Sequence, residues 1–145
     1  MNYMSELRGQ LRSILLLDVP NLPQVQWQGK VFKPSAEFPY IRERLDPVTS
    51  DTATLGRIGS AEERMIYNLD VFWPVTGFLQ DAENMADALK TAYWIGRGLS
   101  LASTDKVYGS VLRVETRPVL EGAVFNLYPV RVVFFIRRPL VMTAA

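Results

Sequence analysis

Carboxylates are the first residues to weigh for chemistry, because the chain has no histidine and no cysteine. A Ser-His-Asp triad, a histidine metal cluster, imidazole acid–base work and thiol catalysis are therefore all impossible. Paired carboxylates can still act as they do in glycosidases. The candidates are Glu62 with Glu63, and Asp81 with Glu83 and Asp87. Glu62 and Glu63 are adjacent at the start of a strand, so their side chains point to opposite faces. Asp81 and Glu83 fall in the first turn of a helix, where the helix dipole favours negative charge. Both groups are better explained by structure than by catalysis. Their spacing does not converge on a magnesium site. Gly56-Arg57-Ile58-Gly59 matches neither a GxGxxG nor a P-loop pattern. No catalytic residue, metal ligand or cofactor is expected.

The arginines and aromatic residues are the next candidates. Arg42, Arg44, Arg113, Arg117, Arg131 and Arg137 occupy outward positions on predicted strands. They suit solvent, ion pairs between subunits or the lining of a pore. Arg137-Arg138 reads as solvation or as protection of a sheet edge. Trp73, Tyr93 and Trp94 could stack on nucleic acid, but they lie on or beside apolar stripes and read as packing residues.

These groups must be held by elements that the hydropathy pattern outlines. Residues 4–17 predict a helix capped by Ser5, with Leu7, Leu11, Ile14 and Leu15 on one face. Pro20 and Pro23 stop it. A short strand follows around Gln24–Trp27, then a turn at Gln28-Gly29-Lys30. Residues 38–46 alternate, with Phe38, Tyr40, Arg42 and Arg44 on one face and Ile41, Glu43 and Leu45 on the other. Pro39 and Pro47 push that strand toward an edge or a bulge. The segment 48–61, rich in Thr, Ser, Asp and Gly, reads as a flexible loop with Leu55, Arg57 and Ile58 embedded in it. Residues 63–73 predict a strand that is apolar on both faces, hence central or in a subunit contact. A helix capped by Thr76 or Asp81 follows, carrying the stripe Ala82, Met85, Ala86, Leu89 and Tyr93. Gly96 and Gly98 end it.

Two strands close the chain, about 106–118 and 123–137, joined at Glu121-Gly122. Leu112, Val114 and Thr116 are expected on one side, with Val111, Arg113, Glu115 and Arg117 opposite. Pro129 suggests a bulge or an edge in the last strand. Together these elements predict an α+β fold: a mixed, mostly antiparallel β-sheet with two main helices packed on it, in a single domain over residues 1–145.

Ile66, Phe72, Val111, Leu127, Val133 and Phe135 fall in the rows opposite the core stripes. If each helix covers one face of the sheet, they are interior. If both helices share a face, they form an apolar patch of the kind that marks an interface.

Composition sets the outer bounds. Hydrophobic residues at 48% and charged residues at 21% are ordinary for a soluble globular chain of 145 residues. A net charge of +1 does not announce a nucleic-acid binder, although residues 106–138 hold six basic side chains against two acidic ones. Zero cysteines exclude disulfides and thiolate zinc sites. No apolar run suits a signal peptide or approaches the roughly 20 residues of a membrane span, so a soluble, unsecreted protein is expected.

Several stretches in this order resemble phage tail terminator proteins, the gpU-like minor tail proteins that cap a siphophage tail tube. The resemblance rests on the N-terminal helix and Trp27 to Phe32-Lys33-Pro34. It continues through Tyr40-Ile41-Arg42 leading into a polar segment, and the long strand from Arg64 to Trp73. The helix rich in alanine (Ala82, Ala86, Ala88) and the hairpin ending at Val130 to Phe135 complete it. It implies a hexameric ring, stacked on the last ring of the tail tube, that stops polymerisation and offers a surface to head–tail connector proteins. It implies a place at the head-proximal end of the virion tail after synthesis in the host cytoplasm, with DNA only passing through the pore. Residues 49–60 would touch the tube or a neighbouring subunit. Arg42, Arg44, Leu55, Arg57, Ile58, Arg113, Arg117, Arg131, Phe135 and Arg137 are the candidate subunit or tube contacts. Another neck or head–tail completion protein is the nearest rival. A small nucleic-acid or ligand-binding domain using the basic final hairpin is a rival of a different class, and an enzyme comes third.

Overall fold

A computed structural model of the chain describes residues 3–54, 60–101 and 104–139. The elements run α1 (Tyr3–Asp18), β1 (Gln24–Gln26), β2 (Tyr40–Thr54), β3 (Ser60–Pro74), α2 (Leu79–Ala92), β4 (Gly98–Leu101), β5 (Thr104–Thr116) and β6 (Phe125–Pro139). The strands form one six-stranded sheet in the order β1-β2-β3-β6-β5-β4. Only the β1–β2 pair is parallel. The fold is α+β, as the sequence pattern predicts. Among the described residues no helix is long and apolar enough to cross a membrane.

Alternation along β3 and β6 decides which face is covered. Met65, Tyr67, Leu69 and Val71 of β3 and Tyr128, Val130, Val132, Phe134 and Ile136 of β6 are buried in one cluster. The same cluster holds Leu7, Leu11, Ile14 and Leu15 of α1 and Ala82, Met85 and Leu89 of α2. Both helices therefore pack on the same face of the sheet. The Tyr93 hydroxyl ties them together by donating to the Leu11 carbonyl at 2.7 Å. The face opposite carries no helix.

Several expectations are corrected. Helix α1 begins at Tyr3, so Ser5 lies inside it and does not cap it. Phe78 is the N-cap of α2 and makes no side-chain bond, so neither Thr76 nor Asp81 caps that helix. Residues 48–54, read as loop from their polar composition, continue β2, because β3 pairs with them as far as Thr54. Strand β4 has no counterpart in the hydropathy reading, and it claims Gly98 as its first residue.

Strand β5 slips register between Val111, opposite Phe134, and Arg113, opposite Val133. Leu112 is the extra residue, and such a bulge reverses the facing of everything beyond it. Val111 therefore joins the core instead of the outer row. Gly109 allows the backbones to close here, since a Cβ would sit 1.8 Å from the Phe135 carbonyl oxygen.

Both internal prolines are explained by backbone direction. The Leu45 N–H donates to the Gln28 side chain at 2.9 Å, so it points off the sheet edge. Pro47, two residues on, has no N–H to leave unpaired on that edge. Pro129 lies in a central strand, not an edge. Its carbonyl faces β5 and accepts from the Arg117 N–H, just past the last β5 residue, so the missing N–H forfeits only the return bond at that end of the pairing and none to β3.

Candidate assembly surface

The sheet's open face is built from the residues that alternate with the core row. Tyr40, Arg42, Arg44 and Asp46 of β2 stand opposite Phe72, Asp70, Asn68 and Ile66 of β3. Leu127, Arg131, Val133, Phe135 and Arg137 of β6 continue the rows. Arg113 and Glu115 of β5 complete them.

At one end of this face the aromatics gather. Tyr40 and Phe72 stack with ring centroids 4.5 Å apart and planes 5° from parallel. Phe125 meets Tyr40 edge-on at 5.3 Å, and Phe32 lies 5.2 Å from Tyr40. The Arg42 guanidinium sits 5.1 Å over Phe72, a cation–π contact. Exposed apolar side chains continue around this end onto neighbouring loops and the start of α2: Val75, Phe78, Leu79, Val119, Leu120 and Val124.

Toward the other end the face becomes a ladder of charge. Arg42 pairs with Asp70 at 2.9 Å and Arg44 with Asp46 at 2.8 Å. Glu62 is flanked by Arg64 at 3.5 Å and Arg137 at 3.4 Å. Glu115 takes Arg113 at 2.6 Å and Arg117 at 3.3 Å. Hydrogen bonding from Arg113 holds the Glu115 carboxyl below its ordinary range. The Nε of Arg131, between the Asn68 and Glu115 positions, is buried without a hydrogen-bond partner. Ile66, Phe72, Leu127 and Phe135 are half-buried among these groups, and Val133 is buried.

The structure thus brings Arg42, Arg44, Arg113, Arg131, Phe135 and Arg137 onto one face, with Arg117 at its rim. Leu55, Arg57 and Ile58 lie outside the described residues. Arg137 and Arg138 belong to a central strand and pair with Glu62 and Glu63, so edge protection is not their role. Trp94, expected to pack, is 52% exposed and carries Arg97 over its ring at 4.3 Å. Sequence reasoning missed Arg64 and the Tyr40–Phe72–Phe125 cluster. Tyr40 sat in a recognised outer row, but only the pairing register brings it onto Phe72.

The covered face carries a polar group of its own. Glu43 is 2% exposed, between Ile41 and Leu45. It accepts from Arg12 of α1 at 2.6 Å, from the Gln28 backbone N–H at 3.0 Å and from the Tyr67 hydroxyl. Burial alone would push its carboxyl up, but Arg12, Tyr67 and Gln28 together hold it below the ordinary range. Burial, reinforced by the neighbouring Tyr93 and Glu43, pushes the Tyr67 hydroxyl far up, so it stays a proton donor. Every oxygen of this carboxylate is spoken for, which suits a staple between helix, turn and sheet. Among the described residues, no group of three or more acidic side chains is placed to hold a metal.

The fold is a sheet with both helices on one face and a mixed apolar and ion-paired surface on the other. The comparisons make this specific: a model of the phage tail terminator protein family matches residues 4–134, and the chain belongs to that family. This is a structural family, which gives the chain a structural role in the virion tail. A solved structure shares the fold at TM-score 0.67 and 17% identity, covering 99% of this chain and 96% of that one. No curated protein matches.

Proposed function

We propose that the chain closes into a ring, with six subunits as the expected number, that seats on the head-proximal end of the tail tube. There it ends tube growth and presents its far side to the head–tail connector. The observation that carries this reading is the helix-free sheet face on a chain of the terminator family. A face of half-buried apolar side chains threaded with ion pairs needs a cover, and a heterologous contact repeated around an axis supplies one in every subunit.

Termination is then a matter of unlike surfaces. One side of the ring matches the open tube, and the other lacks that match, so no tube subunit adds. Residues 49–60 contact the tube or the neighbouring subunit. Ring-on-ring binding is multivalent, so weak individual contacts sum to a stable cap. The whole chain acts as one domain, with DNA passing through the pore.

The test is polymerisation of the purified tube protein with rising amounts of this chain. Shorter tubes with the chain at one end support the reading. Tubes of unchanged length, or tubes coated along their sides, would overturn it.

A further inference from the structure

The open sheet face and the outward side of α2 carry opposite charge. Among the described residues, the open sheet face presents Arg42, Arg44, Arg64, Arg113, Arg131 and Arg137 against Asp46, Glu62, Asp70 and Glu115. Arginine is in excess there, Arg117 adds to it at the rim, and the buried Nε of Arg131 lacks an acceptor. On the far side of the molecule, α2 turns Ala82, Met85 and Leu89 inward. Its outward positions include Asp81, Glu83 and Asp87 against one cation, Lys90, and all four are exposed. The outward positions of α1 carry no such excess: Ser5, Gly9, Ser13, Leu16 and Leu17 are neutral, and Asp18 pairs with Arg97.

We infer that the occupant of the open sheet face is the α2 helix of a second copy of this chain, its acidic outer side laid on the arginine rows. This rests on the ring reading and names the two surfaces that meet in it. The pairing is heterologous, since the surfaces differ and lie on opposite sides of one subunit, so it propagates head to tail until the ring closes. It gives each sheet a helix layer on both faces. Helix α2, with 14 residues, is about 21 Å long, which falls within the length of the 15-residue strands β3 and β6. Nucleic acid fits less well. The four carboxylates spread over the face would repel phosphates, whereas they leave room for Lys90.

The test reverses charge on each surface in turn. Arg64→Glu with Arg113→Glu makes one variant, and Glu83→Lys with Asp87→Lys makes the other. All four positions are exposed, and circular dichroism with thermal melting checks each fold. Each variant alone should lose self-association by about 100-fold or more, because like charges then face each other. Mixed in equal amounts, the two variants should recover rings of strictly alternating composition, seen by native mass. All four substitutions in one chain should also restore the ring. If the wild type forms rings and both variants form them equally well, the pairing is wrong while the ring reading stands. If folded variants fail alone and neither the mixture nor the fourfold variant recovers, the pairing is equally overturned. A wild type that forms no ring at any concentration or on tube ends overturns both. Duplex DNA binding lost in the Arg64/Arg113 variant, with rings unaffected, would reassign the face to nucleic acid.

Discussion

Glu43 and Glu115 are two carboxylates on opposite faces of one sheet, each held by arginine. Glu43 is sealed under α1 with Arg12, Tyr67 and Gln28, and its partners come from three separate segments of the chain. Glu115 is held by Arg113 and Arg117, two residues away on either side, in water. The same ion-pair chemistry therefore does different work. Under the helices it fixes tertiary structure, because an unpaired charge there has no solvent to fall back on. On the open face water competes with every pair, so those pairs add little to folding and stay available to a partner.

This difference can be broken most severely at Glu43. Glu43→Ala strands the Tyr67 hydroxyl and the Gln28 N–H and leaves Arg12 without its partner. Because Arg12 is partly exposed and can turn to water, the expected loss is about 3 kcal/mol, the low end for a broken buried pair, read from urea unfolding. Gly109→Ala comes next. It strikes the ladder that both faces share, where the Phe135 carbonyl must move, and about 1–3 kcal/mol should be lost in the same assay.

Acid sharpens the contrast. The native Glu43 carboxyl titrates below its ordinary value of 4.5, so its stabilisation is present above that pH and drains away as pH falls through the native value. Thermal melts from pH 6 downward should show a steeper loss for wild type than for Glu43→Gln, with the two curves converging in acid; parallel curves would exclude the linkage. The smallest effect belongs to the open face. Glu115→Gln should leave the unfolding midpoint unchanged while altering the salt dependence of self-association.

Much of this division was legible in the sequence. The rows Met65–Tyr67–Leu69–Val71 and Tyr128–Val130–Val132–Phe134–Ile136 alternate cleanly, and a period of two fixes the face of each side chain. Glu43 stands between Ile41 and Leu45 in an otherwise apolar row, and only the structure shows it as a buried carboxylate with partners. The identity of those partners was not readable, since Arg12 lies 31 residues away and only docking of α1 brings it there. Val111 was assigned to the wrong side because a bulge adds one residue without a compositional mark. Residues 48–54 were misread because Thr, Ser and Asp suit a loop locally, while β3 imposes pairing across the sheet. Which face the helices chose was less plain: Ile66 and Phe72 stand among Arg64, Asn68 and Asp70 in the outer row of β3, so apolar residues occur on both faces.

On the reading proposed above, the covered face holds the fold and the open face holds the assembly. Side-chain footprinting of the chain, dilute and then assembled on tube ends, tests it most directly. Phe72, Phe135 and Leu127 should lose reactivity on assembly, while Tyr67 and Phe134 stay protected in both states. Unchanged reactivity at Phe72 and Phe135 in the assembled state would contradict the account.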